Sequence, residues 1–179
     1  VLVGAGALFI AVKLIEADAT VTNVSCNGAG DGSITATSTG VAPFMFDWST
    51  GQTDVTISGL EPDTYSVQVT DANGCQASQS FVVTQPAVLS GQVTAANATC
   101  NDSDGSAHAN LGGGTTPYSY LWSEGSTGSS VNGLAAGDYS VDVTDDHGCM
   151  LHLSTTITAS GTPEAHAGTD KVINCLTGT

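Results

Sequence analysis

Leu60-Glu61-Pro62-Asp63-Thr64-Tyr65-Ser66-Val67-Gln68-Val69-Thr70-Asp71-Ala72-Asn73-Gly74-Cys75 returns later in the chain as Leu134-Ala135-Ala136-Gly137-Asp138-Tyr139-Ser140-Val141-Asp142-Val143-Thr144-Asp145-Asp146-His147-Gly148-Cys149. In both runs Tyr, Val and Val fall at every second position, the spacing of a strand with one buried face. Asp and Gly then mark a turn. The leading Leu, followed five positions later by Tyr, has the form of a tyrosine corner. In that device a Tyr hydroxyl bonds back to the preceding loop and pins a Greek-key crossover. Tyr65 and Tyr139 are therefore read as determinants of the fold and not as catalytic acids.

The correspondence extends outward from these runs. Cys26, Pro43, Trp48 and Gly51 match Cys100, Pro117, Trp122 and Gly125 at a constant offset of 74 residues. The register slips by one between Asp31-Gly32 and Asp104-Gly105, and an insertion within Leu111 to Thr116 restores it. Surface loops of β domains tolerate such changes. Within each copy, Ile34 and Ala36 alternate with polar residues. Phe44, Phe46 and Trp48 share one strand face, as do Tyr118, Tyr120 and Trp122. Val55 and Ile57 follow, with Val131 the counterpart of Ile57, and a last strand holds Phe81 and Val83, or Leu151 and Leu153. Short alternating strands bounded by Gly, Asn, Asp and Pro predict an all-β chain of tandem Ig-like Greek-key β-sandwich domains. The copies occupy residues 20–87 and 88–162.

The 179 residues carry 22 Gly, two cationic side chains (Lys13 and Lys171) and a formal net charge of -15. Such a chain has no cation array to displace phosphate counterions, so nucleic-acid binding is excluded. Docking on anionic lipid is disfavoured for the same reason. Residues 1–19 form an apolar N-terminal strand, too short to span a membrane and without a basic n-region. They are read either as the end of a preceding domain or as a donor strand that completes a neighbouring subunit. Residues 163–179 read as a linker and the first strand of a third domain, with Cys175 left over.

Cys26 and Cys75, like Cys100 and Cys149, stand 49 positions apart. Equal spacing makes one disulfide within each repeat the simplest connectivity. Closing a loop of that length contributes about 4 kcal/mol in the chain-entropy model. Two matched pairs point to an oxidising, extracellular setting. Zinc is disfavoured, because no Cys-x-x-Cys or Cys–His spacing occurs.

No nucleophile elbow, metalloprotease, phosphate-loop or dinucleotide motif stands in a suitable context. The four histidines (His108, His147, His152 and His166) are scattered, so no catalytic residue is assigned and no cofactor is expected. Calcium is the sharper alternative. Asp71, Asn73, Asp145 and Asp146 lie in oxygen-rich turns, but they lack the EF-hand order, and Asn-Gly and Asp-Gly serve turn geometry directly. Asn23 and Asn97 head equivalent Asn-x-Ser/Thr sequons, three residues before a cysteine, and are candidate glycosylation sites on an outward strand face.

The set Ser25-Cys26-Asn27-Gly28, Asp31-Gly32-Ser33-Ile34, Pro43-Phe44, Trp48-Ser49-Thr50-Gly51, Leu60, Tyr65-Ser66-Val67 and Thr70-Asp71-Ala72-Asn73-Gly74-Cys75 resembles the SprB repeat of Bacteroidetes. The run from Cys100 through Pro117-Tyr118-Ser119-Tyr120-Leu121-Trp122 to Cys149 resembles it equally well. The resemblance implies tandem stalk-like modules in very large surface proteins, gliding-motility adhesins among them, exported by type IX secretion. It implies no catalysis and no family-wide ligand site. The expected function is thus a structural and adhesive repeat region of a secreted or surface-anchored adhesin or extracellular fibre. Its expected partners are neighbouring repeats, copies of itself or surface polysaccharide. Two alternatives stand beside it: a subunit of a filament joined by N-terminal strand exchange, and a carbohydrate-binding module with an aromatic platform. Against the second, the aromatic residues recur at equivalent positions in both copies, as core residues would.

Overall fold

The computed structural model describes residues 14–99 and 102–160, and every described regular element is a β-strand. Two compact units emerge. One comprises described residues 14–24 and 28–85, the other 25–27 and 86–160. No described helix is long and apolar enough to cross a membrane.

In the first unit β1 (Glu16–Thr22), β2 (Gly32–Thr39) and β4 (Thr56–Leu60) form one three-stranded sheet in the order β1-β2-β4. Strands β3 (Met45–Trp48), β5 (Asp63–Thr70) and β6 (Gln76–Val83) form the other, in the order β3-β5-β6. All these pairings are antiparallel. The chain passes between sheets at β2–β3, β3–β4 and β4–β5, which is the Greek-key path of an Ig-like sandwich. The second unit repeats it. Strands β7 (Ser90–Ala96), β9 (Gly105–Gly112) and β11 (Ser130–Leu134) make one sheet. Strands β10 (Ser119–Trp122), β12 (Gly137–Thr144) and β13 (Met150–Ile157) make the other. Two short strands, β8 (Ala98–Thr99) and β14 (Ala159–Ser160), add a parallel pair.

Apart from Val55, which is exposed ahead of β4, the period-two residues point inward as their spacing predicts. Ile34, Ala36, Trp48, Ile57, Leu60, Val67, Val69 and Val83 belong to the first core. Ala107, Ala109, Trp122, Val131, Leu134, Val141, Val143 and Ile157 hold the same places in the second. Each indole is buried with its N–H satisfied. Trp48 Nε1 donates to the Asp54 carbonyl at 2.9 Å and Trp122 Nε1 to the Gly128 carbonyl at 2.8 Å. The tyrosine corners are present too: Tyr65 donates to the Glu61 carbonyl at 2.9 Å and Tyr139 to the Ala135 carbonyl at 3.1 Å.

Two features went unread in the sequence. The β2–β4 ladder passes from Ser33↔Ser58 to Gly32↔Leu60, and the β9–β11 ladder from Ser106↔Asn132 to Gly105↔Leu134. The skipped residues, Gly59 and Gly133, have φ of 71° and 74°, so glycine suits the bulge that re-aims the following Leu into the core. The other feature is the first boundary. Sequence reading set residues 16–19 outside the first repeat, yet β1 begins at Glu16 and pairs with β2 from Glu16↔Thr39 to Thr22↔Ser33. Ala17, Ala19 and Val21 pack on the first core, so this strand completes its own sandwich. Residues 1–13, on which the donor-strand alternative rests, lie outside the described residues, as do residues 163–179 with Cys175.

Candidate functional site: the Asp–Cys turns and their bridge

Strand β5 delivers Asp71, and β12 delivers Asp145, into the turn that precedes the last strand of each sandwich. Both carboxylates are buried, at 3% and 5% exposure. Asp71 Oδ1 accepts from the backbone N–H groups of Asn73 and Cys75, each at 2.9 Å, while Oδ2 accepts from Val41 at 3.3 Å. Asp145 Oδ1 likewise accepts from His147 and Cys149, each at 2.9 Å, and Oδ2 from Thr115 at 2.8 Å. A buried carboxylate without such partners would be costly, and these N–H donors satisfy it. Burial pushes both carboxyls up. The donors to Asp71 from Cys75, Val41 and Asn73 outweigh that effect and hold it below the ordinary value of 3.8. Thr115, Cys149 and His147 do the same for Asp145, helped by the neighbouring His147 imidazole.

These contacts favour the turn reading of these residues over the calcium alternative. Asp71 and Asp145 turn their oxygens toward N–H donors, which would repel a cation, and Asn73 contributes a backbone donor to the turn. Asp146 is exposed, and its N–H donates to the Thr115 carbonyl at 2.9 Å. Among the described residues no group of three or more His, Cys, Asp or Glu could hold a metal ion.

The cysteines are connected differently from the expectation of one bond per repeat. Cys26 bonds Cys149, with Cα atoms 5.7 Å apart and 123 positions between them in sequence. Cys75 is an exposed free thiol. Cys100 lies outside the described residues. The Cys26–Cys75 pairing fails because the two residues stand at opposite ends of one sandwich. Cys26 precedes Gly32, which pairs with Leu60, and β5 starts three residues after Leu60. Cys75 follows the far end of β5. Eight residues of strand span roughly 26 Å at about 3.3 Å each, whereas a disulfide needs Cα atoms within about 7 Å. Equal spacing in sequence reported the repeat period and nothing about which end each cysteine occupies.

The chain leaves the first sandwich beside Cys26, where Val24 N–H donates to the Thr84 carbonyl at 3.1 Å and Asp63 pairs with Val83. It enters the second beside Cys149, where Gly114 N–H donates to the Ala87 carbonyl at 2.8 Å. Residues Ser25–Asn27 group with the second unit. Asn27 Nδ2 donates to the Pro86 carbonyl at 3.0 Å, and His147 Nδ1 lies 3.2 Å from the Ser25 carbonyl oxygen.

The sequon asparagines also have structural partners. Asn23 Oδ1 accepts from Thr84 N–H at 2.8 Å and Asn97 Oδ1 from Thr158 N–H at 3.1 Å. Both residues are exposed, and each ties the first strand's exit to the end of the last strand.

The fold forms pairs that sequence reading missed. His108 Nδ1 lies 2.6 Å from Ser130 Oγ, and His152 Nδ1 lies 2.6 Å from Asp142 Oδ1. The first resembles a base and its nucleophile, but the first repeat explains it otherwise. There Thr35 and Thr56 occupy the same cross-strand positions, with hydroxyls 3.0 Å apart. A polar cross-strand pair of this kind stabilises a sheet face. His152 and Asp142 face each other across β12 and β13 in solvent, where an ion pair contributes little.

Comparison with known proteins agrees with the internal repeat. The SprB repeat family profile matches residues 19–53 and 92–127, one segment in each copy. No curated protein matches. Among solved structures, the chain is similar to the first two Ig domains of DIP-gamma (12% identity, 83% of this chain and 99% of that one, TM-score 0.44). It is also similar to the eight N-terminal Ig domains of Down Syndrome Cell Adhesion Molecule isoform 1.30.30 (12% identity, 83% and 25%, TM-score 0.41). A third is the C-terminal 282-residue fragment of intimin, solved with the intimin-binding domain of its translocated receptor (13% identity, 81% and 62%, TM-score 0.40). The SprB repeat profile thus matches one segment in each of two tandem all-β Ig-like sandwiches.

Proposed function

We propose that this chain is a structural and adhesive repeat region of a secreted or surface-anchored adhesin or extracellular fibre, acting as a spacer. One observation carries the reading: the two sandwiches share their inward residues and differ in their outward ones. Trp48, Val67, Val69 and Leu60 recur as Trp122, Val141, Val143 and Leu134 in the cores. By contrast, the exposed Met45 and Val82 stand opposite Ser119 and Thr156 in the alignment, and the exposed Leu121 and Met150 opposite Asp47 and Gln76. A ligand site common to the repeats would recur on the surface, and a spacer needs only its framework to recur. The reading contains no catalytic step. The charge of -15 keeps such an array solvated and separate. The disulfide suits an oxidising compartment outside the cell.

Surface labelling tests the location. Antibody raised against this chain should stain intact cells that make it, and the signal should disappear when those cells are treated with an external protease. Staining that requires lysis would overturn the reading. Electron microscopy of the native protein then separates its forms. Flexible beaded strings support the spacer, and regular filaments built from one subunit would replace it with a polymerising fibre.

A further inference from the structure

In each sandwich one residue at the chain's exit is held on both of its backbone groups by residues that follow the entry strand. Thr84 N–H donates to Asn23 Oδ1 at 2.8 Å, and the Thr84 carbonyl accepts from Val24 N–H at 3.1 Å. In the other sandwich Thr158 N–H donates to Asn97 Oδ1 at 3.1 Å, and its carbonyl accepts from Ala98 N–H at 3.1 Å. There the contact continues as the parallel pair of β8 and β14, with Ala159 opposite Ala98 and Ser160 opposite Thr99. The clasp joins two sheets, because β1 and β6, like β7 and β13, belong to different ones. Val24 and Ala98 are buried, and a bond shielded from water is electrostatically stronger than one in solvent.

Strand polarity decides what this clasp does. Strand β1 runs from Glu16, opposite Thr39, to Thr22, opposite Ser33 and beside the clasp. Strand β6 runs from Gln76, opposite Thr70, to Val83, opposite Asp63, and also ends at the clasp. The two terminal strands are therefore parallel. The chain enters the sandwich at the end away from the clasp and leaves it at the clasp. Strands β7 and β13 repeat this, running from Ser90 and Met150 to Ala96 and Ile157, next to Asn97 and Thr158. Tension on the chain drags the entry strand away from the clasp and the exit strand past it, in opposite directions along their own axes. Ladder bonds lie perpendicular to antiparallel strands. Such a pull strains both terminal ladders and the clasp at the same time, whereas a pull across the strands meets their bonds one by one.

We propose that each sandwich is a tension-bearing element, with Asn23 and Asn97 as the side-chain locks of its shear clasp. This deepens the spacer reading, on which it rests for the source of the tension. It uses only bonds inside one sandwich. Forced unfolding is governed by the unfolding rate, so a clasp that must break before either terminal strand slides raises the force the sandwich withstands.

Single-molecule pulling of the full chain tests this. Reductant opens the Cys26–Cys149 bond, which would otherwise carry load past the residues between. Handles on azide-bearing residues substituted at Leu14 and Val88, both exposed, pull the first sandwich along its terminal strands. Handles at Glu16 and Gln76, both exposed and both at the end away from the clasp, peel the same strands off bond by bond. At equal loading rate the force is expected to be several-fold higher along the strands than across them. Asn23→Ala should lower the force along the strands and leave the force across them unchanged. Asn23→Asp, which keeps the Oδ acceptor, should retain both. Equal forces in the two directions, or an Asn23→Ala chain with undiminished force along the strands, would overturn the proposal. So would an Asn23→Ala loss of the same size in both directions, which would make Asn23 a stabiliser of the fold and no more. The matched measurement on the second sandwich attaches at Val88 and Thr179 for the pull along the strands and at Ser90 and Met150 for the pull across. It reads Asn97→Ala, and it decides the question if the Asn23 variants do not fold. Failure here leaves the surface-staining result untouched, and a chain found inside cells leaves these forces untouched.

Discussion

The turn around Asp71 and the turn around Asp145 share their carboxylate clamp, their cis X-Pro loop (Ala42-Pro43 and Thr116-Pro117) and their terminal Gly-Cys, and they differ in whether the cysteine is bonded. The difference teaches that the two properties have separate origins. The clamp is local, built from one carboxylate and the backbone within a few residues and one neighbouring loop. The bond depends on which cysteine comes within reach, which nothing inside the turn encodes.

The largest way to break the comparison is to remove each thiol in turn. Cys149→Ser opens a loop spanning 123 positions, with an expected loss of up to about 5 kcal/mol in the chain-entropy model. Cys75→Ser is expected to leave denaturant midpoints unchanged, because Cys75 is unbonded in this chain. Guanidinium melts under non-reducing conditions measure both, and equal effects would contradict the assigned bond.

A second test asks whether the cores are as equivalent as their residues. Trp48→Ala and Trp122→Ala each empty a buried indole site and lose an N–H to carbonyl bond. Each should cost about 3–5 kcal/mol in its own unit. Separate tryptophan and near-ultraviolet signals from the remaining indole report whether the other unit stays folded.

The smallest effect sharpens the clamp itself. Asp71→Asn and Asp145→Asn keep the shape and remove the charge that the N–H donors surround. Each should lower the melting temperature of its unit by about 5 °C. Acid should mimic the substitution. The folded carboxyls lie below 3.8, so the unfolded chain takes up a proton at a pH where the folded chain does not. Their contribution is complete above the ordinary Asp value and is lost as pH falls through the folded value. Melts between pH 5 and pH 2, a window of about three pH units around that transition, should show the wild type falling toward the double variant.

Much of the fold was legible because it is periodic. Tyr65, Val67 and Val69 could not alternate against polar neighbours in a chain this rich in turns and be anything but a strand with one buried face. The corner was legible because Leu60 and Tyr65 act within six residues. Asp71 was read as a turn residue, and its depth was not seen, since the donor from Val41 comes from 30 positions away. Asn23 was read only as a candidate glycosylation site, and its hydrogen bond from Thr84 was not seen because that partner lies 61 positions on. The β1 boundary was missed because Ala17 and Ala19 are too small to announce a buried face; only the ladder to β2 identifies them.

By itself the sequence determined the repeat, the strands, the inward residues and the tyrosine corners, because each depends on spacing within a strand or a turn. Only the tertiary structure decided which cysteines meet. Two residues 49 positions apart in sequence are held at opposite ends of an eight-residue strand, and a disulfide forms only where Cα atoms come within about 7 Å.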